Sequence, residues 1–99
     1  MQQKASALTD DLIAGKFADV VATFDDSMRA GLTADGLKTA WAQVVTTFGA
    51  YKARGATSAG LPGTFDTPMT FGTTAMKSRI SFDADGKVSG LYILKASVA

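Results

Sequence analysis

The sequence contains no cysteine and no histidine, and its nine acidic residues are all aspartate. Thiol nucleophiles, Ser–His and Cys–His pairs and thiolate or imidazole zinc sites are therefore excluded, and no metal site is expected. The usual near-neutral proton carrier is missing as well. The lack of cysteine leaves the redox compartment open. No apolar run approaches the roughly 20 residues that a membrane-crossing helix needs. The start of the chain has no charged-then-apolar signal pattern, so it reads as cytoplasmic as written, and as exported if a presequence was removed before Met1. Formal net charge is +1, so no global field draws nucleic acid or an anionic membrane. Lys77 and Arg79 share a face with no aromatic residue between them, which is not a nucleic-acid pattern. Glycines are scattered and form no phosphate-cradling loop between a strand and a helix, and no cofactor is indicated.

What is present is ordinary for one globular domain: 99 residues, 46% hydrophobic and 19% charged. We read residues 1–99 as a single unit without internal repeat or linker. Its clearest element is the run Leu32–Gly49. Thr33 is placed to cap the first turn, Asp35 favours the positive end of the helix dipole, and Leu32 with Leu37 can form a hydrophobic staple. Leu37, Trp41, Val44, Val45 and Phe48 then recur on one side of a helix, and Gly49 stands where a C′ glycine belongs.

Two helical runs precede it. Ala5, Leu8, Leu12 and Ile13 have helical spacing and end before Gly15; Phe17, Val20, Val21 and Phe24 form the second stripe. Met28 and Leu32 bracket one further turn. After Gly49 the period falls to two. Tyr51–Arg54 alternates as a strand, and residues 55–63 read as a loop or an irregular strand end. Phe65, Thr67, Met69 and Phe71 share a strand face, with Pro68 arguing for an edge or a bulge. Met76, Ser78, Ile80 and Phe82 alternate against Lys77, Arg79 and Ser81. Val88–Leu94 is apolar on both faces, with Val88, Tyr92 and Leu94 on one and Leu91 and Ile93 on the other. The order predicts an α+β fold: three N-terminal helices packed on the concave face of a curved antiparallel sheet of about four strands.

The Asp83-Ala84-Asp85-Gly86 run has the spacing of a calcium loop. Setting Gly86 at the invariant glycine puts Tyr92 where the bidentate glutamate belongs, with a strand following instead of a helix, so a hairpin turn is expected. Asp25 and Asp26 are the carboxylates that acid/base chemistry without histidine would use, yet caps of the turn after Phe24 explain them more simply. Phe24, Trp41, Tyr51, Phe71 and Tyr92 are the candidate lining of an apolar pocket between sheet and helices.

The run Leu12-Ile13-Ala14-Gly15-Lys16-Phe17, then Phe24-Asp25 with Met28 and Leu32, Leu37 with Trp41 and Gly49, and Phe82 to Leu91 resembles a bacterial domain of unknown function with the nuclear-transport-factor-2-like (cystatin-like) fold. Domains of that kind often stand alone or precede a serine hydrolase domain. The likeness covers about residues 5–95 and departs most in 55–75. It implies a cone of helices inside a strongly curved sheet and a homodimer through the outer sheet face, which suits the two-sided last strand. It carries over no catalytic set, because the constellations of enzymes on the wider fold do not map onto these residues. The expectation is a non-catalytic module that binds an apolar small molecule or dimerises. The alternative is a histidine-free isomerase or cyclase with a pocket aspartate as base and a tyrosine as oxyanion donor. A purely structural spacer with a filled cone is the third reading.

Overall fold

The computed structural model describes residues 1–97. Four helices come first: α1 (Gln2–Ile13), α2 (Phe17–Val21), α3 (Asp26–Gly31) and α4 (Ala34–Phe48). Five strands follow: β1 (Tyr51–Arg54), β2 (Ser58–Ala59), β3 (Thr64–Phe71), β4 (Thr74–Phe82) and β5 (Val88–Lys95). The fold is α+β, with N-terminal helices packed on an open antiparallel sheet in the order β1-β3-β4-β5, where β2 also pairs with β3. The helix beyond the expected three is the single turn that Met28 and Leu32 bracket.

Local chemistry sets most boundaries. Thr33 Oγ1 accepts the Gly36 N–H at 3.1 Å and starts α4, and Leu32 and Leu37 both join the core, as a staple requires. Gly15, with φ +79°, ends α1. Asp83 folds the β4–β5 hairpin: its Oδ1 accepts from the N–H groups of Asp85 and Lys87, and Gly86 takes φ +78°. Gly49 is not a left-handed C′ glycine as expected. It has φ +106° and ψ 174°, a region that is essentially glycine's alone, and it turns the chain sharply from α4 into β1. A Cβ there would stand 2.9 Å from the Cα of Gly72 in the β3–β4 turn, so two backbones meet at this corner.

Two strand expectations change, and one open between loop and strand is resolved. Pro68 lies at neither an edge nor a bulge. Its carbonyl accepts the Gly55 N–H at 2.8 Å, and in an antiparallel strand the missing N–H faces the same side. That side is the gap where β1 has ended and β2 has not begun, so an inner strand tolerates proline without an orphaned ladder position. Residues 55–63, expected as a loop or an irregular strand end, contain the two-residue β2, which pairs Ser58 with Asp66 and Ala59 with Phe65. Val88 is not on the face of Tyr92 and Leu94. A register shift between Ser81 and Phe82 turns it inward with Leu91 and Ile93, where it is buried.

The second helical stripe also ends early. After α2, Thr23–Asp25 runs extended and pairs in parallel with the start of β5: Val88 donates to the Thr23 carbonyl and Asp25 donates to that of Val88, both at 2.9 Å. Phe24 is thereby set into the core from a strand-like segment. Two apolar clusters result. One joins Ala5, Leu8, Leu12, Val20, Phe24 and Leu37 to Ile80, Phe82 and Val88; the other is Met69, Phe71 and Met76 under α4. Trp41 and Ile93 pack against both.

A buried polar contact joins α1 to the sheet. Thr9 of α1 and Ser78 of β4, both buried, share a 2.9 Å hydrogen bond, and Thr9 Oγ1 also donates to the Ala5 carbonyl. Thr9→Val strands the Ser78 hydroxyl and is expected to cost about 1–3 kcal/mol in urea unfolding. Adding Ser78→Ala should return most of that loss, because both polar partners are then gone.

Candidate functional site

A concavity without an ionisable lining residue lies between α4 and the inner side of β5. It is a cavity of about 320 Å³, open along one side. Leu37, Trp41, Val44 and Phe48 wall it from the helix, Leu91 and Ile93 from the strand, and Leu12 and Leu32 close its far end. The polar positions on the rim are Gln43 and Thr47, and no ionisable side chain is among the lining. The cause is the α4 stripe itself. Of its five apolar residues only Leu37 is buried, while Trp41, Val44 and Phe48 keep part of their surface in the groove and Val45 packs against the Met69, Phe71 and Met76 cluster. A site of this size and lining takes a small apolar molecule through burial of surface, with orientation left to shape and to a rim hydrogen bond.

The five residues expected to form one pocket divide. Trp41, Tyr51 and Phe71 come together: the Trp41 and Phe71 ring centroids are 5.2 Å apart and Tyr51 and Phe71 5.9 Å, both edge-on. Phe71 is completely buried beneath them and serves as their floor. Phe24 belongs to the other cluster, and Tyr92, 55% exposed, stands on the opposite face of the sheet. Trp41 alone of the five lines the groove. Leu91 and Ile93, which complete it, were legible only as one face of a two-sided strand.

Asp25 and Asp26 stand at the start of α3, away from the groove. Asp25 Oδ1 accepts the Met28 N–H at 2.8 Å as the N-cap, and Asp26, on the surface, pairs with Arg29 at 2.7 Å. Among the described residues, no group of three or more carboxylates gathers around a cation-sized position. No described helix is long and apolar enough to cross a membrane.

Two charged clusters escaped the sequence reading because each spans separate elements. Arg54 of β1 spends its guanidinium on α1 and its neighbours, donating to the Ser6 carbonyl and hydroxyl, Asp10, Thr57 and the Gly55 carbonyl. It clamps the sheet edge to the first helix. On the outer face, Arg79 of β4 holds Asp66 of β3 through two bonds of 2.9 and 3.0 Å, with Lys77 at 3.9 Å. The register places Asp66 directly opposite Arg79. The Arg79 hydrogen bond keeps the Asp66 carboxyl below its ordinary value, against the opposing effect of burial.

The chain belongs to a family described as protein of unknown function (DUF3887), matched over residues 5–91. No curated protein and no solved structure matches it.

Asp25→Asn should leave stability nearly unchanged, whereas Asp25→Ala should cost about 1 kcal/mol in urea unfolding, as expected for a cap. Asp66 gives a pH signature. Its folded-state value is lowered, so its contribution is present above the unfolded carboxylate value and disappears as pH falls through the folded one. Urea midpoints between neutral and acid pH should fall less steeply for Asp66→Asn than for the parent, with a difference at neutral pH of about 1 kcal/mol or less.

Proposed function

We propose that this member of the family is a non-catalytic binding module whose α4–β5 groove takes a small apolar molecule, on a domain of the nuclear-transport-factor-2-like kind. The observation that carries the reading is the groove itself: about 320 Å³, lined by helix and strand side chains that are apolar almost throughout. That volume lies at the small end of the range for ligand sites. Helices first and an antiparallel sheet after them is the element order such a domain requires. The acid/base alternative has less support. Asp25 is committed to its cap, Asp26 stands in solvent, and no carboxylate reaches the groove.

A homodimer through the outer sheet face would draw on exposed Tyr92 and Leu61, and it would have to cover the Asp66–Arg79 pair at the middle of that face. Ionised groups occupy that face, whereas the groove lining holds none. The stronger expectation is therefore ligand binding.

Trp41 is the protein's only tryptophan and lines the groove, so its fluorescence reports occupancy directly. Titration with decanol or naphthalene should shift its emission saturably. Ala40→Phe, which fills the groove from α4, should weaken that response at least tenfold while leaving the far-ultraviolet circular dichroism unchanged. An emission that no apolar probe moves would overturn the reading in favour of a structural spacer.

A further inference from the structure

The two ends of the groove differ chemically. Leu12 and Leu32 close one of them with aliphatic side chains. At the other stand Phe48 and, on the rim, Thr47 with Gln43 one turn before it. A cation lies beside that second end. Leu91 and Ile93 line the groove from β5, and strand alternation puts Lys95 next on the same inner side. The register agrees, since Lys95 pairs with Met76, whose side chain is buried in the cluster under α4. Lys95 Nζ sits 5.8 Å from the centroid of the Phe48 ring, a cation held over an aromatic face. Lys95 is exposed, and among the described residues no carboxylate pairs with it. The inner side of β5 therefore runs from two apolar residues to a positive charge.

We propose that the occupant of the groove is a free medium-chain fatty acid, an unbranched chain of about ten carbons matched to the length of α4 that walls the site. The inference rests on the groove as the binding site and names the class of molecule it takes. The methyl end lies against Leu12 and Leu32, and the carboxylate stands at the mouth between Lys95 and Thr47. Leu37 and Phe48, the outermost wall residues on the helix, are about 16 Å apart along its axis, a length that such a chain and its head group nearly fill.

Charge selects the head group. A carboxylate brings one negative charge, and Lys95 supplies one positive charge to meet it. The Thr47 hydroxyl and the Gln43 amide are neutral donors for its second oxygen. A phosphate monoester would bring roughly two charges to a single lysine. A cationic head would face Lys95 directly, and an alcohol would leave the lysine without a partner. Because Lys95 stands in solvent beyond the lining, the carboxylate keeps much of its hydration while the chain leaves water.

The test is a parallel titration of Trp41 fluorescence with decanoate, decanol and decyltrimethylammonium, each below its aggregation concentration. Decanoate is expected to bind tightest, about fivefold ahead of decanol, as an exposed ion pair allows, with decyltrimethylammonium weakest. The lead of decanoate should shrink as salt rises. Decanol binding with decanoate equal or weaker overturns the fatty-acid assignment and leaves the groove a site for neutral molecules. No response to any of the three overturns both. Lys95→Gln should abolish the decanoate lead, and an undiminished lead in that variant overturns the placing of the head group. Intermolecular nuclear Overhauser effects give the direction of the chain. The α-methylene protons of decanoate should meet Phe48 and Thr47, and its terminal methyl Leu12 and Leu32; the reverse pattern contradicts the proposal.

Discussion

The geometry of this domain depends on how α4 is held against the sheet. Its C-terminal end is fixed by a backbone approach that only glycine permits: a Cβ on Gly72 would lie 2.5 Å from the Phe48 carbonyl oxygen. Its N-terminal end is fixed by Leu37, buried in the cluster that joins α1 to β4 and β5. Between those anchors Trp41 rests edge-on against Phe71. A helix pinned at both ends over β3 and β4 cannot also settle onto the inner side of β5. Leu91 and Ile93 therefore remain partly uncovered, and the groove is a product of the same contacts that stabilise the fold.

The consequence is an apolar trough beside the β5 edge, which among the described residues pairs with Phe24 at Val88. Burial of methyl and methylene groups stabilises at about 25 cal/mol per Å², so partly exposed Trp41, Val44, Phe48, Leu91 and Ile93 represent free energy still available to a ligand. The outer face is different in kind. There Asp66, Arg79 and Lys77 form a cross-strand charge cluster, which favours solvent or a polar neighbour over an oily one. The two sides of one sheet thus divide between ionic and apolar chemistry, and β5 carries the boundary.

Much of the fold was legible in the sequence. Helical stripes, the Thr33 and Asp25 caps and the Asp83–Gly86 hairpin are local, and local spacing specifies them. What escaped was decided at a distance. Pro68 looked like an edge residue because nothing in the sequence says that β1 and β2 leave a gap opposite it. Val88 changed faces because a register shift against β4 is invisible in alternation alone. Phe24 left its helix because Val88 offered the Thr23 carbonyl an N–H, a contact across 65 positions that no stripe anticipates. The candidate site was half legible for the same reason. Trp41 was found from the helix stripe, but its partners Leu91 and Ile93 required the register of β5.

The central claim is that the α4–β5 groove, and not another surface, receives an apolar molecule. Methyl-resolved NMR with decanol tests it most directly, because leucine, isoleucine and valine methyls lie on both faces of the sheet. Saturable shifts at Leu37, Val44, Leu91 and Ile93, with Leu61 and Leu94 unmoved, are the predicted result. Shifts confined to Leu61 and Leu94, or none at any methyl, would contradict the account.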